Sequence, residues 1–319
     1  MVGAAVRSRH RLQGDPTVGG TKRRNLRRTA ALYGFAAPAI VLVFLFIYIH
    51  MYGIIVSFKD FTPYLGMFGS PWVGLVHYRY FLSDPKFWSV VKNTLLISIL
   101  DIGFGFPAPV IFALLANEIT SRTFKRTMQT ISYLPHFISW VVVFGIFYQF
   151  FSPSFGIVMR LVASLGRETV NVFAMPSLFR PVVVTAEIWK NVGWGAILYF
   201  AALAGVDPQL YEAAYIDGAG RLRMVFAVTI PGILPMVVLM LVFRISGLIS
   251  VGFERIFVFS NPLNYEVSDI IGTYVYRLGL IQAQYSRTAA IGLVQSVISF
   301  VLLFGANRLA GRTTGLALW

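Results

Sequence analysis

The sequence predicts an all-α integral membrane protein with six transmembrane helices and both termini in the cytoplasm. Hydrophobic residues make up 57% of its 319 residues, charged residues only 13%, and the mean hydropathy is +0.71. Soluble domains are about 45–50% apolar and about 25% charged, and a soluble fold of this size could not bury so much apolar surface. The composition therefore excludes a soluble enzyme, a disordered chain and a coiled coil.

Six long apolar runs are the predicted transmembrane helices. At about 1.5 Å of rise per residue, each run covers or nearly covers a hydrocarbon core of about 30 Å. The runs are continuous rather than alternating, which favours helices over the strands of an outer-membrane barrel. Their predicted bounds are 34–57, 93–116, 129–151, 181–204, 233–250 and 288–307.

Basic residues set the predicted orientation, because the cytoplasmic loops of membrane proteins carry an excess of Lys and Arg. Eight Lys or Arg precede residue 34, against one acid, Asp15, and the side that holds both termini carries fifteen Lys or Arg against ten on the other. We interpret the basic N-terminal segment as a determinant of topology, with nucleic-acid binding as a remote alternative. The predicted organisation is a cytoplasmic segment at 1–33, a transmembrane domain at 34–310 and a cytoplasmic tail at 311–319.

Three longer segments are predicted to lie on the outer side. They contain Pro, Gly and aromatic residues, so we expect them to be ordered loops rather than low-complexity linkers. Within the last of them, residues 266–284 mix apolar and polar residues and favour a short interfacial helix. The three predicted outer loops are 58–92, 152–180 and 251–287.

Several kinds of catalytic site are missing from the sequence. It contains no Gly-Lys pair and so no P-loop for nucleotide hydrolysis, and no Gly-x-Ser-x-Gly turn for a serine nucleophile. With no cysteine and four scattered histidines, it offers no metal-ligand pair at helical spacing. We therefore predict no catalytic residue, no metal site and no cofactor bound by this chain. Any energy source other than an ion gradient must come from another polypeptide.

The segment between the fourth and fifth predicted spans, residues 205–232, carries the most informative motif. Asp207 and Pro208 favour the start of a helix, and Gly218 and Gly220 permit the chain to break or reverse afterwards. Small side chains allow this helix to approach a groove of another protein, and Glu212 can pair with a basic group there. An ordinary interfacial loop is the alternative. The residues that share one face of the helix are Leu210, Ala213, Ala214 and Asp217.

This segment resembles the EAA loop of binding-protein-dependent ABC importer permeases. The family pattern is Glu-Ala-Ala, three residues, Gly, nine residues, then Ile-x-Leu-Pro. Here Glu212-Ala213-Ala214 is followed by Gly218 and, nine residues later, by Val228-Thr229-Ile230-Pro231, so only two aliphatic positions differ. The resemblance covers nearly the whole chain. Three further stretches are similar to the complex-carbohydrate branch, which includes the permeases of alginate importers and those for pectin- or xylan-derived oligosaccharides: 68–75, 132–140 and 265–271.

The resemblance implies a type I ABC importer permease fold in a bacterial cytoplasmic (inner) membrane, surrounded by lipid. It implies a second homologous permease subunit, two ATPase subunits that hold ATP and Mg, and an extracytoplasmic binding protein that delivers an oligosaccharide. An acidic, alginate- or pectin-like sugar is one candidate cargo, and no nucleic-acid partner is expected. The residues that would form the coupling helix and turn, seated in the ATPase to drive alternating access, are Glu212, Ala213, Ala214, Asp217, Gly218 and Arg221.

Polar and aromatic residues inside the predicted spans are candidates for a substrate pathway, because ionisable groups at membrane depth usually face protein or water. Glu187 and Lys190 either neutralise each other at i and i+3 or line the pathway. Arg244 either neutralises Glu187 or meets a substrate carboxylate, whereas Asp101 is expected to pack within the bundle. Aromatic rings and amides suit sugars. The candidate set is Tyr148, Gln149, Glu187, Trp189, Lys190, Asn191, Trp194, Tyr199 and Arg244.

Two other classes of function compete with an ABC permease. An ion-coupled secondary transporter is favoured by inverted repeats and by paired carboxylates within the membrane, and neither is evident in the sequence. A membrane-embedded enzyme needs a nucleophile with its base, or a set of metal ligands, and the sequence lacks both patterns. We therefore expect a permease that is not itself an enzyme, with ATP hydrolysis in its partner subunits.

Overall fold

The computed structural model describes residues 18–315, 317 and 318, with side chains from residue 29 onward except at 30, 31 and 50. Residues 1–17 of the predicted basic segment, and residues 316 and 319 of the predicted tail, lie outside the described residues. The chain is 77% helical. Among the described residues, β-structure is limited to one isolated antiparallel bridge between Lys59 and Trp72. The chain divides into two compact units, Met1–Ile55 and Val56–Trp319.

The first unit contains one long helix, α1 (Val18–Val43). It continues through a π-helical turn at Phe44–Tyr48, and a 3-10 helix at His50–Phe58 runs into the second unit. The side chains at 32–49 are exposed in this chain. Because these residues are almost all apolar, the exposed surface is of the kind that lipid or another membrane subunit covers.

The second unit begins with two short helices, which are followed by longer ones. Pro85–Leu100 and Pro107–Asn117 are joined by a π-helical turn at Asp101–Gly105 into one continuous helix. Its first eight helices are α2 (Gly66–Gly69), α3 (Val76–Leu82), α4 (Pro85–Leu100), α5 (Pro107–Asn117), α6 (Arg122–Tyr133), α7 (Trp140–Phe151), α8 (Ile157–Ser164) and α9 (Pro176–Ala204).

The remaining helices follow the turn at residue 205. The third π-helical turn described in the chain, at Val225–Thr229, joins Arg221–Met224 and Ile230–Ser246 into one helix, and the fourth, at Arg277–Ile281, follows Ile271–Tyr276. These helices are α10 (Pro208–Ile216), α11 (Arg221–Met224), α12 (Ile230–Ser246), α13 (Phe253–Phe259), α14 (Tyr265–Ser268), α15 (Ile271–Tyr276) and α16 (Tyr285–Thr314).

Four helices in the described part of the chain are long and apolar enough to cross a membrane, and a bent pair raises the number to five. They overlap the first, second, fifth and sixth predicted spans. The predicted end of the fifth span at residue 250 is wrong, because the helix ends at Ser246 with Gly247 as its C-cap. The four helices are Leu32–Phe58, Pro85–Asn117, Arg221–Ser246 and Tyr285–Thr314.

The third predicted span, 129–151, is not one straight helix. Arg122–Phe137 and Trp140–Phe151 meet at 108°. Pro135 lacks the N–H that a continuing helix would need, and Ile138 and Ser139 are extended. The Ser139 hydroxyl then accepts from the backbone N–H of Val142 and caps the new helix. The apolar run therefore contains a break that its hydropathy does not reveal.

The fourth predicted span, 181–204, lies within one unbroken helix, α9, of 29 residues. It is not among the four most apolar helices because polar residues such as Glu187, Lys190 and Asn191 lower its hydropathy. It packs against α5, α6, α7 and α12, and its side chains take part in two buried clusters. Val183 packs in the cluster of Ile97 and Ile256, and Ala196 packs in the cluster of Ala113 and Ile233. Its polar residues therefore face protein on several sides.

The predicted outer loop 251–287 is largely part of the packed bundle. It forms α13, α14 and α15 in place of the one short interfacial helix expected at 266–284. Ile256, Phe259, Ile270 and Ile271 are among the least exposed residues of the chain. The segment is ordered, as expected, but it is helical and buried, and its apolar side chains are too widely spaced to form one long apolar run.

Candidate functional site

Four charged side chains from four parts of the second unit form one cluster at the centre of the bundle. Asp101 lies in the π-helical turn between α4 and α5, Glu187 lies on α9, Arg244 on α12 and Arg255 on α13. The cluster contains two carboxylates and two guanidinium groups, so its formal charges balance. Charges removed from water need such partners, since an unpaired buried charge is strongly destabilising.

Arg255 makes the close contacts of this cluster. Its Nη2 lies 2.7 Å from Asp101 Oδ2 and its Nη1 lies 3.2 Å from Asp101 Oδ1, which is a bidentate pair. Nη1 also lies 3.2 Å from Glu187 Oε2. The Arg255 side chain is only 2% exposed. Asp101 therefore packs within the bundle, as the sequence predicts, and its partner is a residue that the sequence analysis assigned to an outer loop.

Arg244 holds the same two carboxylates more loosely. Its Nη2 lies 3.8 Å from Asp101 Oδ2 and 3.9 Å from Glu187 Oε1, which is within ion-pair range and beyond hydrogen-bond range. Its side chain is 40% exposed. The predicted contact between Arg244 and Glu187 is therefore present, and the Arg244 side chain stays partly accessible.

Two cavities adjoin at this cluster. One has a volume of about 310 Å³ and lies beside Asp101, Glu187, Arg244 and Arg255. The other has a volume of about 370 Å³ and extends along α9 from Glu187 past Asn191 and Tyr199. Glu187, Phe243 and Arg244 line both cavities. Four of the nine predicted pathway residues therefore line cavities: Glu187, Asn191, Tyr199 and Arg244.

Of the two alternatives weighed for Lys190, the structure shows no ion pair with Glu187, and Lys190 is not a lining residue of the two central cavities. Its Nζ donates instead to three backbone carbonyls at the break between α6 and α7. It also lies 5.5 Å from the centre of the Trp140 ring. A break in a helix leaves carbonyls without their usual donors, and the ammonium group supplies three donors at one point. The three acceptors and their distances are Pro135 O at 3.2 Å, His136 O at 2.6 Å and Ile138 O at 2.5 Å.

Asn191 and Trp194 contact the same break. The Asn191 Oδ1 lies 2.8 Å from His136 Nδ1, and the His136 ring stacks on Trp194 with ring centres 4.4 Å apart. The backbone also comes close, since a Cβ at Gly193 would lie 2.2 Å from Ser132 O. One face of α9 therefore holds the bend, and Asn191 contributes both to this contact and to the second cavity.

Three other predicted pathway residues lie on or beside α7. Trp189 contacts Phe147 edge-on, with ring centres 6.0 Å apart. Tyr148 packs among aromatic rings, including Phe173 at 5.5 Å, and Gln149 is exposed. These three are not lining residues of the two central cavities, so the structure does not bring them together with Arg244.

The predicted coupling segment has the local geometry that its sequence indicates. Asp207 Oδ1 accepts from the backbone N–H of Gln209 at 2.9 Å and caps α10, which begins at Pro208. Gly218 has a φ of +76°, where a side chain is strained, and the chain turns there into α11. Glu212, Ala213, Asp217 and Arg221 are exposed and Ala214 is half-buried.

Large apolar side chains lie exposed beside this helix and turn. Ile216 is 83% exposed, and Tyr215 and Leu222 are exposed to a similar extent. On the opposite side, the Tyr211 hydroxyl lies 3.0 Å from Thr229 Oγ1 and anchors α10 to the turn that leads into α12. An anchored helix with an exposed apolar edge is the geometry of a docking surface. The sequence analysis did not single out Tyr211.

A second charged network joins the region of α14 and α15 to the start of α4. Buried Asp269 accepts from Arg277 at 2.7 and 3.3 Å, and the Lys86 Nζ lies 3.2 Å from it. The Tyr274 hydroxyl donates to Asp84 Oδ2 at 3.0 Å. Burial, and then the hydrogen bond to Asp84, raise the pKa of Tyr274 to about 12. These contacts tie α15 to the start of α4, and the Tyr274 hydroxyl stays protonated at neutral pH.

The functional residue that sequence reasoning missed is Arg255. Charge balance within the predicted spans could not have found it, because Lys190 and Arg244 already balance the two acids there, Asp101 and Glu187. Arg255 lies in the run Phe253–Phe259, in which two adjacent charges, Glu254 and Arg255, are flanked by bulky apolar residues. Such a run is a better candidate for a buried helix than for a loop.

Comparison with known proteins adds a family match. Residues 105–315 match the family described as "Binding-protein-dependent transport system inner membrane component". Protein LplB of Bacillus subtilis (strain 168) is 42% identical over 285 residues, which cover 89% of this chain and 90% of LplB. The polygalacturonan/rhamnogalacturonan transport system permease protein YteP of the same organism is 40% identical over 279 residues, which cover 88% and 87% of the two chains.

Solved structures agree with this match. A crystal structure of a bacterial ABC transporter involved in the import of the acidic polysaccharide alginate has a TM-score of 0.84 and 37% identity, covering 92% of this chain and 99% of that chain. The bacterial alginate ABC transporter in complex with alginate pentasaccharide-bound periplasmic protein has a TM-score of 0.85 and 36% identity, with the same coverage. The family predicted from the motif at Glu212 to Pro231 is therefore confirmed.

Proposed function

Since this chain belongs to the family of binding-protein-dependent transport system inner membrane components and is an ABC importer permease for sugars, we propose that its cargo is an acidic oligosaccharide. The observation that carries the proposal is the pair of adjoining cavities of about 310 and 370 Å³ with Arg244 between them. The names of two relatives, for polygalacturonan and for alginate, support an acidic sugar.

The pathway that we propose runs through both cavities. Tyr199 and Asn191 offer an aromatic ring and an amide, which suit the apolar faces and hydroxyl groups of a sugar ring. The cavity volumes in this one chain are small for an oligosaccharide. A second homologous permease subunit would complete the pathway, as the family's heteromeric assembly implies.

The proposed mechanism is alternating access driven by separate subunits. Two ATPase subunits would bind ATP and Mg, and an extracytoplasmic binding protein would deliver the sugar from the opposite side. The coupling segment around Glu212 and Gly218 would seat in the ATPase and pass its motion to α9 and α12. These two helices precede and follow the segment in the chain, and both line the second cavity. The exposed apolar edge at Tyr215, Ile216 and Leu222 supports this docking.

The same proposal includes the membrane arrangement. The chain would cross a bacterial inner membrane six times, with α9 and the bent α6–α7 segment added to the four most apolar helices. Both termini would lie in the cytoplasm. The permease family's members are not enzymes themselves, so ATP hydrolysis belongs to the partner subunits. No finding supports the ion-coupled alternative, and we do not propose it.

Reconstitution tests the proposed function directly. We expect liposomes that contain this chain, a second permease subunit, the ATPases and the binding protein to take up tetragalacturonate only when ATP and the binding protein are both present. Omission of either one is the control. Uptake by this chain alone under an ion gradient would contradict the proposal, as would uptake restricted to neutral sugars.

A further inference from the structure

The two arginines of the central cluster are held in different ways. Arg255 is buried and places both Nη atoms on Asp101, with a further contact to Glu187. Arg244 reaches the same carboxylates only at 3.8 and 3.9 Å and is 40% exposed. Because Arg255 already supplies close donors to both acids, Arg244 keeps most of its hydrogen-bonding capacity.

Arg244 also lies where a ligand could reach it. It lines both cavities, and the backbone of the neighbouring π-helical turn leaves room beside it. Even a Cβ built on Gly105 would lie 3.9 Å from Arg244 Nη2, an ordinary van der Waals distance. A guanidinium group in such a position can take a carboxylate through two parallel hydrogen bonds.

We propose that Arg244 is the anion-binding residue of the pathway, taking a uronate carboxylate of the cargo, and that Arg255 is the positioning residue that leaves Arg244 free to do so. The inference rests on the proposed function and adds the residues that select an acidic sugar. Arg255 contacts no cargo in this scheme. It neutralises Asp101 and Glu187, which would otherwise compete with the cargo for Arg244.

Direct binding to the assembled importer tests the role of Arg244. The probes are tetragalacturonate and the same tetrasaccharide with its carboxyl groups reduced to hydroxymethyl groups, added to the permease–ATPase complex in nanodiscs without the binding protein. We expect Arg244→Met to weaken binding of the uronate at least about tenfold, because the variant loses the hydrogen bonds from the guanidinium group to the carboxylate. Binding of the reduced sugar should stay unchanged.

The matched control is Arg312→Met, which removes an exposed guanidinium from the last turn of α16, outside both cavities. It should change neither affinity. Equal weakening of both sugars by Arg244→Met would indicate a structural role and overturn the inference, as would no weakening at all or a wild-type complex that does not prefer the uronate. Wild-type uptake of tetragalacturonate together with unchanged binding by Arg244→Met would leave the proposed function standing and reject the inference alone.

Glu187→Gln provides a test in the opposite direction. Removing this carboxylate takes away a competitor 3.9 Å from Arg244 Nη2, so the uronate should bind more tightly while the reduced sugar does not. Damage to the fold cannot produce a selective gain in affinity. A selective loss of uronate binding in Glu187→Gln would contradict the inference.

Arg255 is tested by the ratio of the two affinities. Arg255→Met should lower the preference for the uronate although Arg244 is still present. Without Arg255, Asp101 and Glu187 would pair with Arg244 and compete with the uronate for it. Adding Asp101→Asn to this variant should restore part of the preference. If Arg255→Met lowers both affinities in proportion, and the second change does not restore the ratio, the positioning role is wrong. If Arg255→Met does not fold, the tests with Arg244 and Glu187 still decide the proposal.

Discussion

At the scale of single residues, Lys190 shows how one side chain stabilises an irregular backbone. Its ammonium group is the donor for carbonyls of Pro135, His136 and Ile138, where the bend between α6 and α7 interrupts the regular hydrogen bonds. A polar backbone group without a partner is costly in an apolar surrounding. The i, i+3 spacing to Glu187 suggested an ion pair within the helix. In the structure, Lys190 instead donates to backbone carbonyls, and Glu187 pairs with Arg244 and Arg255.

Replacing Lys190 tests this stabilisation. We expect Lys190→Met, which keeps most of the apolar stem, to lower the free energy of unfolding by about 1–3 kcal/mol for each carbonyl left without a donor. The measurement is the midpoint of thermal unfolding of the purified protein, followed by tryptophan fluorescence. Lys92→Met, at an exposed position of α4, is the control and should leave the midpoint unchanged. An unchanged midpoint in Lys190→Met would show that the three contacts do not stabilise the bend.

At the scale of elements, the coupling segment could be predicted from the sequence in detail. The cap at Asp207, the helix start at Pro208 and the turn at Gly218 are all confirmed. Each depends on residues close in sequence, so local chemistry is enough. The bend in the third span and the end of α12 could not be predicted from hydropathy, because apolar residues continue through both positions while the backbone hydrogen bonds stop.

Gly218→Val tests the coupling role of this element. A β-branched residue at a φ of +76° is strained, so we expect the turn to change shape and the ATPase subunits to co-purify poorly. The number of ATP molecules hydrolysed per sugar imported should therefore rise. Glu212→Lys should raise the same ratio, because it reverses a charge on the docking surface.

Gly220 supplies the matched control, two residues along the chain. Its φ is −71°, and no atom lies within 4 Å of a Cβ built there. Gly220→Ala should therefore leave assembly and coupling unchanged. Normal assembly and a normal ratio of ATP to sugar in both Gly218→Val and Glu212→Lys would exclude the docking role.

At the scale of the whole molecule, the second unit is built around α9. This helix carries residues of two buried clusters as well as Glu187 and Lys190. A helix enclosed by other helices can carry polar side chains because protein groups, rather than lipid, surround them. Because these polar side chains lower the hydropathy of α9, a count of spans by apolar length omits it and gives four or five, whereas we propose six.

Cysteine labelling tests the proposed topology, since the chain contains no cysteine of its own. We expect a membrane-impermeant maleimide to label Arg167→Cys in intact spheroplasts, and Arg312→Cys only after the membrane is opened. Both positions are exposed in the structure, so access to the reagent depends on the side of the membrane. Labelling of Arg312→Cys in intact cells would contradict a cytoplasmic C-terminus.

By itself, the sequence determined the membrane class, the family and the local geometry from Asp207 to Gly218, because composition and short-range spacing carry that information. The tertiary structure alone decided which charges meet. Asp101 and Arg255 are 154 residues apart in the chain and 2.7 Å apart in space, and the three carbonyls that Lys190 contacts belong to another helix pair. Such pairings follow from how helices pack, and packing depends on the fit of entire surfaces that no local pattern of residues specifies.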